Sequence, residues 1–205
     1  SDDGNTGVYI GLTYDQGDID DVNADYLRNQ SSFNATSTWQ LADGKGFHTS
    51  AGMDFGKIRF DWRVGAMHSQ VETIDNAALE NGTTNTAVFA YTTGNVALDL
   101  YRFVLIGEDK AWNEAIPVIA LTPYVEGGWG YGGGWMTGKK NADGAGANTK
   151  RDAAGHGHVW SAGGGALINL TSFAGITVGY NQLNMMFDSE DVTTHVTEVG
   201  LRLTF

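Results

Sequence analysis

Cysteine is absent from this 205-residue chain and proline occurs only twice. The missing cysteine removes disulfides and thiolate chemistry, and it suits a chain that crosses an oxidising periplasm. A basic excess is also missing. Lys and Arg number 12 against 24 Asp and Glu, a net charge of −12 that argues against a nucleic-acid partner, which needs a basic footprint. The acidic balance reads as a solubilising surface. No run approaches the roughly 18 apolar residues of a membrane helix. Helical periodicity is nearly absent too, with one short candidate at about 107–116. The polar stretch Ser1–Thr6 does not read as a secretory leader and is expected to be a processed mature start.

What the chain has is glycine, 29 of them, and period-2 alternation. Glycine at that level without a collagen repeat fits tight turns and close strand packing. Alternation sends successive side chains to opposite faces of a strand. It predicts strands at about 7–14, 47–55, 58–66, 87–101, 118–135, 158–170, 175–183 and 193–205. In the third, Ile58, Phe60, Trp62, Val64 and Ala66 oppose Arg59, Asp61, Arg63 and Gly65. In the last, Thr197, Val199, Leu201, Leu203 and Phe205 oppose Glu198, Gly200, Arg202 and Thr204.

Eight is an even number, as closure of an antiparallel up-and-down barrel requires. The expected fold is therefore all-β, an eight-stranded antiparallel up-and-down transmembrane β-barrel forming one domain over 1–205. Residues 1–6 would be a periplasmic N-terminal stub, and long external loops would lie at about 15–46, 69–86, 136–157 and 184–192. The connections at 56–57 and 171–174 are short, with 103–117 a longer exception.

Alternation alone does not say which face meets water, since a soluble barrel with its apolar face inward alternates too. Three features favour apolar outward. Glycine concentrates on the polar face, as a narrow interior demands. Charges of both signs recur there (Arg59, Asp61, Arg63, Asp99, Glu126, Glu198 and Arg202) and can pair across a closed lumen. Tyr14, Trp62, Trp129, Tyr131, Trp160 and Tyr180 fall on the other face, where amphipathic rings form belts at the membrane interface.

The segment Thr122-Pro-Tyr-Val-Glu-Gly-Gly-Trp-Gly130 resembles a strand of the bacterial opacity-type small outer-membrane β-barrels. Asn95–Phe103 looks like the strand before their periplasmic turn, and Glu198–Phe205 is similar to their terminal strand with its closing aromatic. In outline the chain is OmpX/OmpW-like. The resemblance implies the outer membrane of a Gram-negative bacterium and contact with outer-membrane lipids. It also implies that Phe205 is a signal read by the barrel-assembly machinery.

No catalytic set emerges, and neither a cofactor nor a bound metal is expected. Barrels of eight strands hold little beyond their own side chains, so the inward charges read as a buried ion network. His156 and His158 have the alternate spacing of a two-ligand metal site but read as solvated loop histidines. Asp15–Asp25 is dense in carboxylates, lacks the calcium-loop spacing and reads as a solvated acidic loop. His48 and Ser50 share a strand face, while His195 and Glu198 point to opposite sides. Gly127-Gly128 and Gly132–Gly134 lack the lysine and helix of a phosphate loop.

The expected function is structural or interactive: a barrel presenting polar, acidic loops to a surface protein or another envelope partner, without enzymatic activity. The alternative is a narrow channel for small polar solutes through a charged lumen. A soluble ligand-binding barrel and a lipid-modifying enzyme stand behind both.

Overall fold

The computed structural model describes residues 7–27, 34–80, 84–107, 119–140, 150–187 and 190–205. No helix occurs among them. Twelve strands do: β1 (Gly7–Ile19), β2 (Val22–Leu27), β3 (Asn34–Leu41), β4 (Gly44–Asp54), β5 (Ile58–Ile74), β6 (Ala77–Ala78), β7 (Thr86–Asp99), β8 (Phe103–Ile106), β9 (Ile119–Lys139), β10 (Lys150–Asn169), β11 (Ala174–Phe187) and β12 (Glu190–Thr204). Eight of them close a ring, β1-β4-β5-β7-β9-β10-β11-β12, and β12 pairs back onto β1. Every pairing in the ring is antiparallel. Closure leaves no free edge, the condition for strands to cross a bilayer. Residues 108–118, which hold most of the helical candidate, lie outside the described residues; just before them, β8 pairs with β9.

The short turns at 55–57 and 170–173 define one end of the barrel, the inner end if it is oriented as such barrels are. At the first, Gly56 has a φ of 89°, a left-handed conformation that glycine adopts without steric cost, and its N–H donates to Asp54 Oδ1 at 2.8 Å. At the opposite, outer end, Asp75 and Asn76 turn β5 into β6 with φ values of 51° and 58°. That pair of positive angles is the two-residue hairpin turn for which Asp and Asn are suited.

The strands are longer than alternation predicts, and the 15–46 segment contains strands of its own. β1 continues to Ile19, β5 to Ile74 and β9 to Lys139, while β10 begins at Lys150. The reason is an inversion of pattern. Up to Ala66, β5 sends apolar side chains outward and Arg59, Asp61 and Arg63 inward. Beyond it, His68, Gln70 and Glu72 point outward, while Met67 and Val71 are buried. β1 changes in the same way: Tyr14 is followed outward by Gln16 and Asp18, and inward by Gly17 and Ile19. The change marks where the lipid-facing surface gives way to a polar rim.

The interior therefore has two layers. Toward the outer end it is apolar, filled by Met67, Phe89, Met136, Val159, Leu183 and Met185 among others. The β2–β3 hairpin folds over this layer, and its Val22 and Trp39 are fully buried in it. Toward the inner end the interior is ionic. The expectation of a polar lumen is thus corrected for the outer layer.

Candidate functional site

The ionic layer is built from side chains two residues apart on one strand and their neighbours across the ring. β5 supplies Arg59, Asp61 and Arg63. The Arg63 guanidinium lies between two carboxylates, donating from Nε to Asp61 Oδ1 at 3.0 Å and from Nη1 and Nη2 to Glu126 at 3.0 and 2.5 Å. Asp61 also accepts from Tyr9 Oη at 2.8 Å and Asn95 Nδ2 at 3.0 Å, and Glu126 from Asn181 Nδ2 at 2.7 Å. Nearer the inner end Arg59 pairs with Asp99 at 2.9 Å and lies over the Tyr124 ring at 4.6 Å. Arg202 pairs with Asp54 at 2.5 Å and lies over the Tyr9 ring at 3.9 Å. Charged hydrogen bonds of this kind hold planar guanidiniums in one orientation.

Glu198 is the member of the predicted charge set without a partner of this kind. Its carboxylate makes no hydrogen bond or ion pair among the described residues, although the side chain is only 8% exposed. Asp54, Asp15 and His48, which join the layer, are not in the predicted set. His48 Nδ1 lies 2.9 Å from Asp15 Oδ2, and both residues are buried. Asp15 is therefore not part of a solvated acidic loop: β1 carries it inward, against His48 of β4. One ligand atom each from Asp15, His48 and Glu198 lies within 4.8 Å of the others. The inward phase of β1, read as ending at Thr13, would have found Asp15 had it been carried one step further.

The six predicted interface aromatics all point outward, from 36% exposed at Tyr14 to 64% at Trp129. Tyr14 and Tyr180 are the last outward rings before Gln16 and Gln182. A second outward set stands at the inner end (Phe55, Phe60, Tyr101, Phe103, Phe173 and Phe205). Phe60 and Phe205 lie on the apolar face that alternation predicts, while Tyr101, Phe103 and Phe173 stand in or beside turns where alternation gives no phase. The Phe205 N–H donates to Val8 O at 2.8 Å, tying it to β1. His156 and His158 lie on β10 and not in a loop, facing outward beside rings of β9: Trp129 stacks on His158 at 5.2 Å, and Tyr131 lies 5.7 Å from His156. Among the described residues they do not converge with a third ligand.

At the outer end Asp75 ties three elements together. Its carboxylate accepts from Thr38 N at 2.9 Å and Lys140 Nζ at 2.7 Å, and from Arg151 and Ser37. Partial burial acts to raise its pKa, but Lys140, the Thr38 N–H and Arg151 outweigh it and hold the carboxyl below the usual range. A carboxyl shifted down stabilises the fold fully above its unfolded value, about 3.9, and the contribution is lost only as pH falls toward the lowered folded value. The clasp should then be unchanged between pH 5 and 8. Asp75→Asn is expected to speed amide exchange at Ser37–Trp39 about fivefold at neutral pH, the equivalent of roughly 1 kcal/mol for part-exposed ion pairs. Unaltered exchange would show that the clasp is not holding β3.

Over these features lies a continuous outward surface of Val8, Ile10, Leu12, Ile58, Phe60, Val64, Leu201 and Leu203, each more than 40% exposed. Soluble proteins do not surround themselves with such a surface. Charge inside and hydrocarbon outside is the reverse of a water-soluble barrel, so the soluble ligand-binding alternative does not match the geometry.

The sequence matches no family model and no curated protein. Among solved structures, Neisserial surface protein A aligns over 97% of this chain and 97% of its own, with 12% identity and a TM-score of 0.53. The fold is that of a small outer-membrane β-barrel. OprG from Pseudomonas aeruginosa also aligns, over 98% of this chain and 97% of its own, with 12% identity and a TM-score of 0.48. At such identities the likeness concerns the barrel and not its residues, none of whose roles carries over.

Proposed function

We propose that this protein resides in a bacterial outer membrane as a non-conducting barrel, holding a fixed acidic rim toward the exterior for contact with envelope or surface partners. The observation that carries the reading is the filled interior. Trp39 and Phe89 stand among fully buried apolar side chains above, and paired guanidiniums and carboxylates stand below. Two cavities in the ionic layer measure about 30 and 20 Å³, room for a water or two each. Above the plug the rim carries Asp18, Asp20, Asp21 and Asp43, all exposed. The Asp43 carboxyl is raised from its ordinary value by its hydrogen bond with Asp18 and by that neighbour's charge. This rim and the Asp75 clasp give a partner a surface whose shape is set before contact, which lowers the ordering cost of binding.

The test is single-channel recording of the refolded barrel in planar bilayers. Flat traces are expected across ±100 mV, whereas regular conductance steps would overturn the non-conducting reading. The interactive half is tested by chemical crosslinking in native membranes. A crosslinked partner that disappears when Asp18, Asp20, Asp21 and Asp43 are changed to asparagine supports the rim as its contact. A partner that persists unchanged overturns it.

A further inference from the structure

We infer that the junction between the two interior layers is a binding site for a divalent transition-metal ion, held by Asp15, His48 and Glu198. The first ground is placement. Asp15 and Glu198 stand directly opposite each other across the β1–β12 seam, and His48 reaches them from β4. Like charges directly opposite on paired strands repel, and here both are buried, at 2% and 8% exposure. A cation between them turns that repulsion into attraction.

The second ground is independent of the cluster. Glu198 is more than nine-tenths buried, has no hydrogen-bond partner among the described residues, and borders both small cavities. Glycine stands opposite it on β11: a Cβ at Gly179 would lie 3.4 Å from Glu198 Oε2. The carboxylate has space around it and no protein donor of its own among the described residues, which leaves its oxygens available to a ligand.

The third ground is charge. Asp15, Asp54, Asp61, Asp99, Glu126 and Glu198 face three guanidiniums, those of Arg59, Arg63 and Arg202. Arg63 is taken by Asp61 and Glu126, Arg59 by Asp99 and Arg202 by Asp54. Six acids less three guanidiniums leave three negative charges. One stays on Asp61 and Glu126, which share Arg63, and two fall on Asp15 and Glu198. The His48 imidazole lies beside those two, and Arg63, already held by its own two acids, is the nearest guanidinium.

The donor set narrows the ion. One imidazole and two carboxylates suit Zn²⁺, Mn²⁺ or Fe²⁺ better than Ca²⁺ or Mg²⁺, which favour all-oxygen shells. Bonds of about 2.0–2.2 Å put ligand atoms roughly 3.0–3.6 Å apart, so separations that here reach at most 4.8 Å must close by about an ångström or somewhat more. The unpinned Glu198 can make that movement, and the 30 Å³ cavity beside His48 and Glu198 can supply a water ligand. The apolar plug above blocks passage from outside, so loading would accompany folding.

The experiment refolds the chain from urea into detergent with either a chelator or Zn²⁺, removes free metal by dialysis, and measures bound metal by elemental analysis. Co²⁺ serves as a second probe, through its visible absorption. About one equivalent per barrel is expected for the wild type, together with a higher urea midpoint in the metal-loaded sample. Glu198→Gln should weaken binding by about 100-fold or more, since even outer-shell changes at metal sites cost 10- to 100-fold. Asp18→Asn with Asp43→Asn, on the rim, should leave it unaltered. Metal binding that survives Glu198→Gln, or that vanishes in the rim variant, would overturn the site, as would wild type that binds none. Should Glu198→Gln fail to give the heat-modifiable folded band, His48→Gln is measured by the same assay, and retained stoichiometry there would also overturn it.

Discussion

Replacing Arg63 with methionine is expected to lower the stability of the barrel by about 3–5 kcal/mol, the usual cost of leaving buried charges without their partner. Among the described residues Arg63 is the one cation touching both Asp61 and Glu126, and its side chain is 12% exposed where theirs are 5% and 4%. Without it, two carboxylates face each other across a narrow interior, with Tyr9, Asn95 and Asn181 as their remaining hydrogen-bond donors. Lysine is a poor substitute, because one ammonium cannot reproduce the fork that reaches both acids. The check is urea unfolding followed by the gel-mobility difference between folded and boiled barrel. Adding Asp61→Asn and Glu126→Gln to Arg63→Met should restore most of the loss. If the triple variant is no more stable than the single one, the loss came from packing and not from orphaned charge.

Trp39→Ala carries the second large effect, about 3–5 kcal/mol for a buried aromatic. Trp39 has no exposed surface and packs in the plug formed by β2–β3 with Ile74, Met136 and their neighbours. Its ring also lies close to Gly138 of β9, where a Cβ would be 3.6 Å from Cζ3. The indole N–H finds no acceptor among the described residues, and a buried donor left so costs about 1–3 kcal/mol. Trp39→Phe should therefore lose far less than Trp39→Ala, even though it also removes volume. Equal losses in the two variants would mean that the effect comes from the indole itself and not from filling the plug. In bilayers Trp39→Ala should still give flat traces, because the ionic layer beneath it remains intact.

The fold was legible where composition and geometry agree. In 58–66 and 197–205 every outward position is apolar or threonine and nearly every inward one charged or glycine, so period 2 is plain. It was not legible past the lipid boundary. There Gln16, Asp18, His68 and Gln70 face outward, while Ile19, Met67 and Val71 face inward, and strands read as loops because the pattern changes sign mid-strand. The candidate site fell at that boundary. Asp15 sits one step beyond the last lipid-facing tyrosine, and its partner His48 is 33 residues away on β4. The charges of 59–63 and 202 were visible for the opposite reason, lying well inside strands of unambiguous phase.

Closure of the ring has a consequence for how the chain reaches its final pairing. Arg202 of β12 meets Asp54 of β4 across β1, so this contact forms only when the last strand has joined the first in the correct alignment. A slip of one residue along that seam would turn Glu198 and Arg202 toward hydrocarbon and Leu201 and Leu203 toward the ions. Charged side chains facing lipid at mid-depth cost about 2–4 kcal/mol for Arg alone. The interior thus selects a single way of joining the two ends, and misaligned intermediates are left open to correction before the barrel locks.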